Sequence, residues 1–204
     1  MVGWKRDRGV YKIVYIPEDE RFEYVIKVFP CYLKNVIVCE FYGYLTNLKE
    51  PIVIFKDKDI CFRFARTFAI LPAECKGEEH KTFCVVQEKV KDGKSLSDED
   101  IVYLEEKLKN SKFSWEKAYG LKFPFDEIYF EDVTSDNILK RTLENGKEEF
   151  VIIDWMNYNK IGLKNDSSEE LAEKLWYSIK PYLGYLPERF ELPEGLSKYI
   201  DIIL

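Results

Sequence analysis

The sequence predicts an α+β protein with two lobes. Three observations lead there. Runs of β-branched and aromatic residues crowd the first 88 positions, whereas helix periods and caps dominate the rest, and strands followed by helices is the α+β order. A chain of 204 residues that is 46% hydrophobic and 16% aromatic has enough apolar surface for a substantial core.

The elements follow in order. Residues 9–16 read as a strand through Val10, Ile13, Val14 and Tyr15, and residues 17–20 (PEDE) as a turn. Residues 22–29 (FEYVIKVF) form a second strand that Pro30 ends. Residues 32–48 repeat apolar side chains at a helical period through Leu33, Val36, Ile37, Phe41, Tyr44 and Leu45. Residues 52–55, 60–71 and 82–90 read as further strands. The expected first lobe, 1–88, is thus a mostly antiparallel sheet with one helix. A polar link at 89–94 opens the expected second lobe, 89–204. Ser97, with Asp100 three residues on, caps a helix that runs to about Lys109. Residues 113–119 read as a short helix, and Asn145-Gly146 as a hairpin turn. Ser167-Ser168-Glu169-Glu170 starts a helix to about Tyr182, with Leu171, Leu175, Trp176 and Ile179 on one face. The expected second lobe is therefore mainly helical, and its tail, residues 200–204, packs against the protein.

Composition narrows the function. The net charge of −6 argues against broad nucleic-acid binding, which neutralises phosphates. No run reaches the roughly 18 apolar residues of a membrane helix, and the first eight residues lack the apolar core of a secretory signal. The five cysteines, Cys31, Cys39, Cys61, Cys75 and Cys84, are odd in number and form no Cys-x-x-Cys. They read as free thiols in a reducing cytoplasm. The one histidine, His80, lies in a polar run and leaves little material for a zinc site or a histidine-based triad.

The stretch that carries chemistry is Asp132-Val133-Thr134-Ser135-Asp136-Asn137-Ile138-Leu139, followed across the Asn145-Gly146 turn by Val151-Ile152-Ile153-Asp154. Phosphoryl transfer needs a carboxylate beside the attacking hydroxyl and oxygen ligands for magnesium on the phosphates. Asp132 suits the first role, and Asn137 and Asp154 the second. The turn predicts that Asn137 and Asp154 sit at adjacent ends of one hairpin. The plain alternative reads Asp132 and Asp136 as loop caps, Asn137 as a turn residue and Asp154 as the end of a buried strand.

With these residues in this order the chain resembles the protein-kinase-like superfamily, in particular its compact atypical branch, such as aminoglycoside phosphotransferases and Rio-type kinases. Residues 9–15 (GVYKIVY) look like the end of the glycine-rich loop and the strand after it, which gives the backbone of Gly9 a place on phosphates. Residues 24–29 (YVIKVF) are similar to the Val-Ala-Ile-Lys strand, which makes Lys27 the phosphate lysine and Glu40, in the helix after it, its ion-pair partner. Residues 85–90 (VVQEKV) resemble the hinge that meets adenine, with Glu88 and Val90 as its contacts. Asp132 to Asn137 resembles the catalytic loop, and Asp154 the metal-binding aspartate. The resemblance implies a two-lobed protein-kinase-like fold, ATP and Mg2+ as cofactors, and transfer to a hydroxyl of a protein or small molecule in the cytoplasm.

The chain departs from the pattern in its glycine-poor loop, with Gly3 and Gly9 only. It also has Phe130-Glu131 before Asp132 and Trp155-Met156 after Asp154. The 50 residues after Asp154 leave room for only a reduced set of helices. A pseudokinase or nucleotide-binding interaction module is the second reading, and a plain structural domain the third. Lys27 taken by itself reads as an exposed strand residue whose amine reaches water.

Overall fold

The computed structural model describes residues 3–8, 12–29, 44, 47–48, 51, 53–56, 58–76, 81–109, 134–154, 189–193, 196–197 and 200–202. The chain divides into two compact units. The first comprises Met1–Glu50, Arg66–Lys89 and Asp166–Leu204, and the second Pro51–Ala65 and Val90–Asn165.

The first unit is built on a six-stranded sheet of β1 (Trp4–Arg8), β2 (Ile13–Pro17), β3 (Tyr24–Val28), β6 (Thr67–Cys75), β7 (Lys81–Glu88) and β11 (Ile200–Ile202). The order is β1-β2-β3-β7-β6-β11, and every neighbouring pair is antiparallel. The β2–β3 turn is held by Asp19, whose carboxylate accepts from the Arg21 amide at 2.9 Å and whose carbonyl accepts from the Phe22 amide at 3.1 Å. Alternation then sorts the side chains. Ile13, Tyr15, Tyr24, Ile26, Val28, Cys84 and Val86 enter one core on one face of the sheet. The C-terminal segment adds Leu196, Phe190 and Leu192 to that core. Tyr24 fastens it, because its hydroxyl accepts from the Glu191 amide at 2.8 Å and donates to the Glu191 carbonyl at 3.1 Å.

The second unit is built on a five-stranded sheet, β4 (Val53–Lys56), β5 (Ile60–Phe64), β10 (Glu148–Ile152), β9 (Ile138–Thr142) and β8 (Lys94–Ser95), in that spatial order. β5 and β10 run parallel and the other pairs antiparallel. Helix α1 (Asp98–Lys109) covers one face, where Leu104 joins Phe62, Phe64, Ile138, Phe150 and Ile152. Its start is a capping box. Asp100 donates its amide to Ser97 Oγ at 3.2 Å and returns its carboxylate to the Ser97 amide at 3.1 Å. Gly146 closes the β9–β10 hairpin at φ 79°, a conformation open to glycine at little cost.

This architecture corrects the expected fold. The described residues are mostly strand, and among them no helical C-terminal lobe is present; α1 is the one full helix. The two-lobed protein-kinase-like arrangement of an N-terminal sheet and a mainly helical second lobe is overturned by a second sheet. Non-local pairing is the physical reason. The run at 60–71 breaks at Ala65-Arg66 into two strands of different sheets, and β5 recruits β10 from about 90 residues away by parallel pairing. The tail pairs with β6 in the same non-local way. The helices expected at 32–48, 113–119 and 167–182 fall largely outside the described residues, although Tyr44 is helical. No helix among the described residues is long and apolar enough to cross a membrane.

Candidate functional site

Three groups of polar side chains stand out, and each belongs to one unit. The first surrounds Lys27. Register puts Val14, Lys27 and Val85 side by side on β2, β3 and β7, with Val25 and Gln87 two residues along on the same face. This face lies opposite the one built from Tyr24, Ile26 and Val28. Lys27 is 4% exposed, so the reading of a solvated strand lysine is overturned. Its amine donates to the Tyr44 hydroxyl at 3.3 Å and lies 5.5 Å from the centre of the Tyr44 ring. A desolvated ammonium is attracted by the negative face of such a ring.

The second group lies at one end of the β9–β10 hairpin. A turn at Thr134 leads into β9, and its carbonyl accepts from the amides of Asn137 and Ile138 at 3.2 Å. The ladder pairs Ile138 with Ile152, and one step further the Ile153 amide donates to the Asn137 carbonyl at 2.9 Å. Asn137 and Asp154 therefore flank the same end of the hairpin, and both are half-buried. A side-chain amide and a carboxylate are hard oxygen donors. Two protein oxygens completed by phosphate and water is the kind of set that suits magnesium. Among the described residues no group of three or more His, Cys, Asp or Glu side chains assembles, so a cage made by protein alone is not offered there.

The third group was not legible in the sequence. Glu149 stands directly opposite Arg141 on β9 and pairs with Cys61 on β5, two residues from Arg63. Arg63 grips both carboxylate oxygens, at 2.7 and 3.1 Å, and gives a further bond to the Phe64 carbonyl at 2.9 Å. Arg141 adds a bond at 2.6 Å. Burial pushes the Glu149 carboxyl up, but Arg63 and Arg141 outweigh it and hold the group below its ordinary value. On the other face Lys140 joins Asp100 and Glu148, each at 2.8 Å, and so ties the start of α1 to the hairpin. The available signal was a charge inside each apolar strand, Arg63 in ICFRF and Glu149 in EEFVI.

The remaining expected residues fall as follows. Gly9, Glu40 and Asp132 lie outside the described residues. Glu88 ends β7 and is tied to Arg66 twice, its amide donating to the Arg66 carbonyl at 2.8 Å and its carboxylate accepting from the Arg66 amide at 3.0 Å. Val90 is half-buried, and its carbonyl accepts from Gly93 in a tight turn in which Asp92 adopts φ 57°. No family model matches the chain, and no curated protein matches it.

Proposed function

We propose that the chain is a cytoplasmic, magnesium-dependent phosphotransferase that moves the γ-phosphoryl group of ATP to a hydroxyl of a protein or small molecule. The observation that supports the reading is the 2.9 Å bond from the Ile153 amide to the Asn137 carbonyl, by which Asn137 and Asp154, two residues with hard-oxygen side chains, come at the same end of one hairpin. These two residues would hold Mg2+, which when bound offsets negative charge on the phosphates.

The other roles belong to the chain's own groups. Lys27, already desolvated, supplies a compact charge for the α- and β-phosphates, with Glu40 to orient it. The Gly9 backbone approaches the phosphates, and Glu88 and Val90 meet the adenine. Asp132 orients the acceptor hydroxyl and takes its proton as the oxygen bonds to the γ-phosphorus and the bond to the ADP oxygen breaks.

A second reading, a pseudokinase or nucleotide-binding interaction module without transfer, draws on the glycine-poor loop, which has Gly3 and Gly9 only. One experiment separates the two readings: thermal shift with ATP, with and without Mg2+, followed by transfer of radiolabel from γ-labelled ATP. The phosphotransferase gives a magnesium-dependent shift and transfer, and Asp132→Ala lowers transfer by about 10²- to 10⁴-fold, the usual contribution of a general base. A shift with no transfer to any acceptor favours the module. No shift overturns both.

A further inference from the structure

The Asn145-Gly146 pair that closes the β9–β10 hairpin carries chemistry of its own, independent of the phosphotransferase reading. It is the one Asn-Gly pair in the chain. Both residues are exposed. The Leu143 amide donates to the Lys147 carbonyl at 2.8 Å, and the Gly146 amide donates to the Leu143 carbonyl at 2.8 Å. With Gly146 at φ 79°, that is a three-residue loop with glycine at the bulge. A Cβ built at Gly146 would meet nothing within 4 Å, so the turn is not shielded there by packing.

An asparagine before glycine is open to attack by the following amide nitrogen, because glycine has no side chain to obstruct the approach. The Gly146 nitrogen loses its proton and bonds to Asn145 Cγ. The Cγ–Nδ2 bond breaks, and ammonia leaves with that proton. The five-membered imide then takes up water at either carbonyl, which leaves aspartate or isoaspartate at position 145. Two hydrogen bonds act on the step in opposite senses. Asn145 Oδ1 accepts from the Lys147 amide at 3.1 Å, which draws charge from Cγ and favours attack. The shorter bond from Gly146 to Leu143 holds the attacking nitrogen and opposes it. The second effect governs, since the imide nitrogen has no N–H left to return to Leu143. The closed hairpin therefore restrains the reaction, and local opening releases it.

We propose that Asn145 is a deamidation site gated by the fold, protected while the hairpin is closed and converted when it opens. The two products differ. Aspartate keeps the backbone and an oxygen for the Lys147 amide. Isoaspartate adds a carbon to the main chain inside a three-residue loop, so the closure between Leu143 and Lys147 loses its spacing.

The test incubates the full chain in mildly alkaline buffer, folded and in guanidinium chloride, and follows the hairpin peptide by proteolysis and mass spectrometry. In the unfolded chain Asn145 is expected to convert before any other asparagine. In the folded chain its conversion is expected to be slower by at least roughly tenfold, the weight of about one hydrogen bond. Asn145→Asp is expected to keep the wild-type protection of the Leu143 amide from hydrogen exchange, and the purified isoaspartyl form to lose it. Equal rates in the folded and unfolded chains overturn the gating. An unfolded chain in which another asparagine converts first overturns Asn145 as the site. An isoaspartyl form that protects the Leu143 amide as wild type does overturns the effect on the hairpin.

Discussion

The two sheets handle buried charge in opposite ways. In the second unit, Glu149 meets two guanidiniums across three adjacent strands, with Arg63 gripping both of its oxygens. Opposite charges with fork-like geometry satisfy one another, and such a cluster is a structural clamp. In the first unit, the buried ammoniums of Lys12 and Lys27 lie over the rings of Phe29 and Tyr44. Rings soften the burial of a cation but do not cancel its charge. The contrast teaches where to look for ligand chemistry. The closed cluster belongs to folding, and the Lys27 face is where the proposed phosphate contact is to be tested.

The sharpest way to break this comparison is to remove the carboxylate from the clamp. Glu149→Ala leaves two arginines around a buried gap and is expected to destabilise the protein by about 3–5 kcal/mol, the cost of stranding a buried charge. Urea unfolding measures it, and a change below about 1 kcal/mol would mean that the clamp is not structural.

Lys27→Met should behave in the opposite sense. The methionine keeps a side chain of similar length whose sulfur can still pack on the Tyr44 ring, so packing is retained while the charge is lost. Folding stability is expected to hold within about 1 kcal/mol while affinity for Mg·ATP falls by at least roughly tenfold. If stability collapses instead, Lys27 is a structural residue and the contrast between the sheets is lost.

Acid sharpens the comparison further. The Glu149 and Asp100 carboxyls are both held below their ordinary values by their cationic partners, which outweigh burial. A lowered folded-state value contributes stability that is fully present above the unfolded value, about pH 4, and is lost as pH falls through the folded value. Denaturant midpoints should therefore be flat above about pH 5 and drop below pH 4. The drop should be smaller in a folded Glu149→Gln variant, which no longer titrates at that position. The smallest effect is at the cap. Ser97→Ala removes the side-chain half of the box at the start of α1 and is expected to cost about 1 kcal/mol.

What was legible in the sequence was local. Asn145-Gly146 announced the hairpin because a turn with positive φ calls for such residues. Ser97 and Asp100 announced the start of α1 because a capping box needs only neighbours. The strands around Lys27 were visible as β-branched and aromatic runs. What could not be read was long-range. Residues 60–71 look like one apolar strand, and nothing local shows that Ala65 donates to Ile152 in one unit while Thr67 donates to Asn47 in the other. The parallel pairing of β5 with β10 and the antiparallel pairing of the tail with β6 depend on loop closures that leave no local pattern. That Asn137 and Asp154 come at the same end of the hairpin was legible for the same reason as the hairpin itself. The burial of Lys27 and Lys12 was not, because a lysine on a half-buried strand reads the same on either face.

The central claim is that this hairpin end holds magnesium for a bound nucleotide. The most direct measurement is the affinity of ATP as a function of Mg2+ in wild type and in Asp154→Ala, with folding checked by circular dichroism. Wild type is expected to bind ATP more tightly as Mg2+ is added, and folded Asp154→Ala to lose that dependence. A folded Asp154→Ala protein whose ATP affinity follows Mg2+ as wild type does would contradict the account.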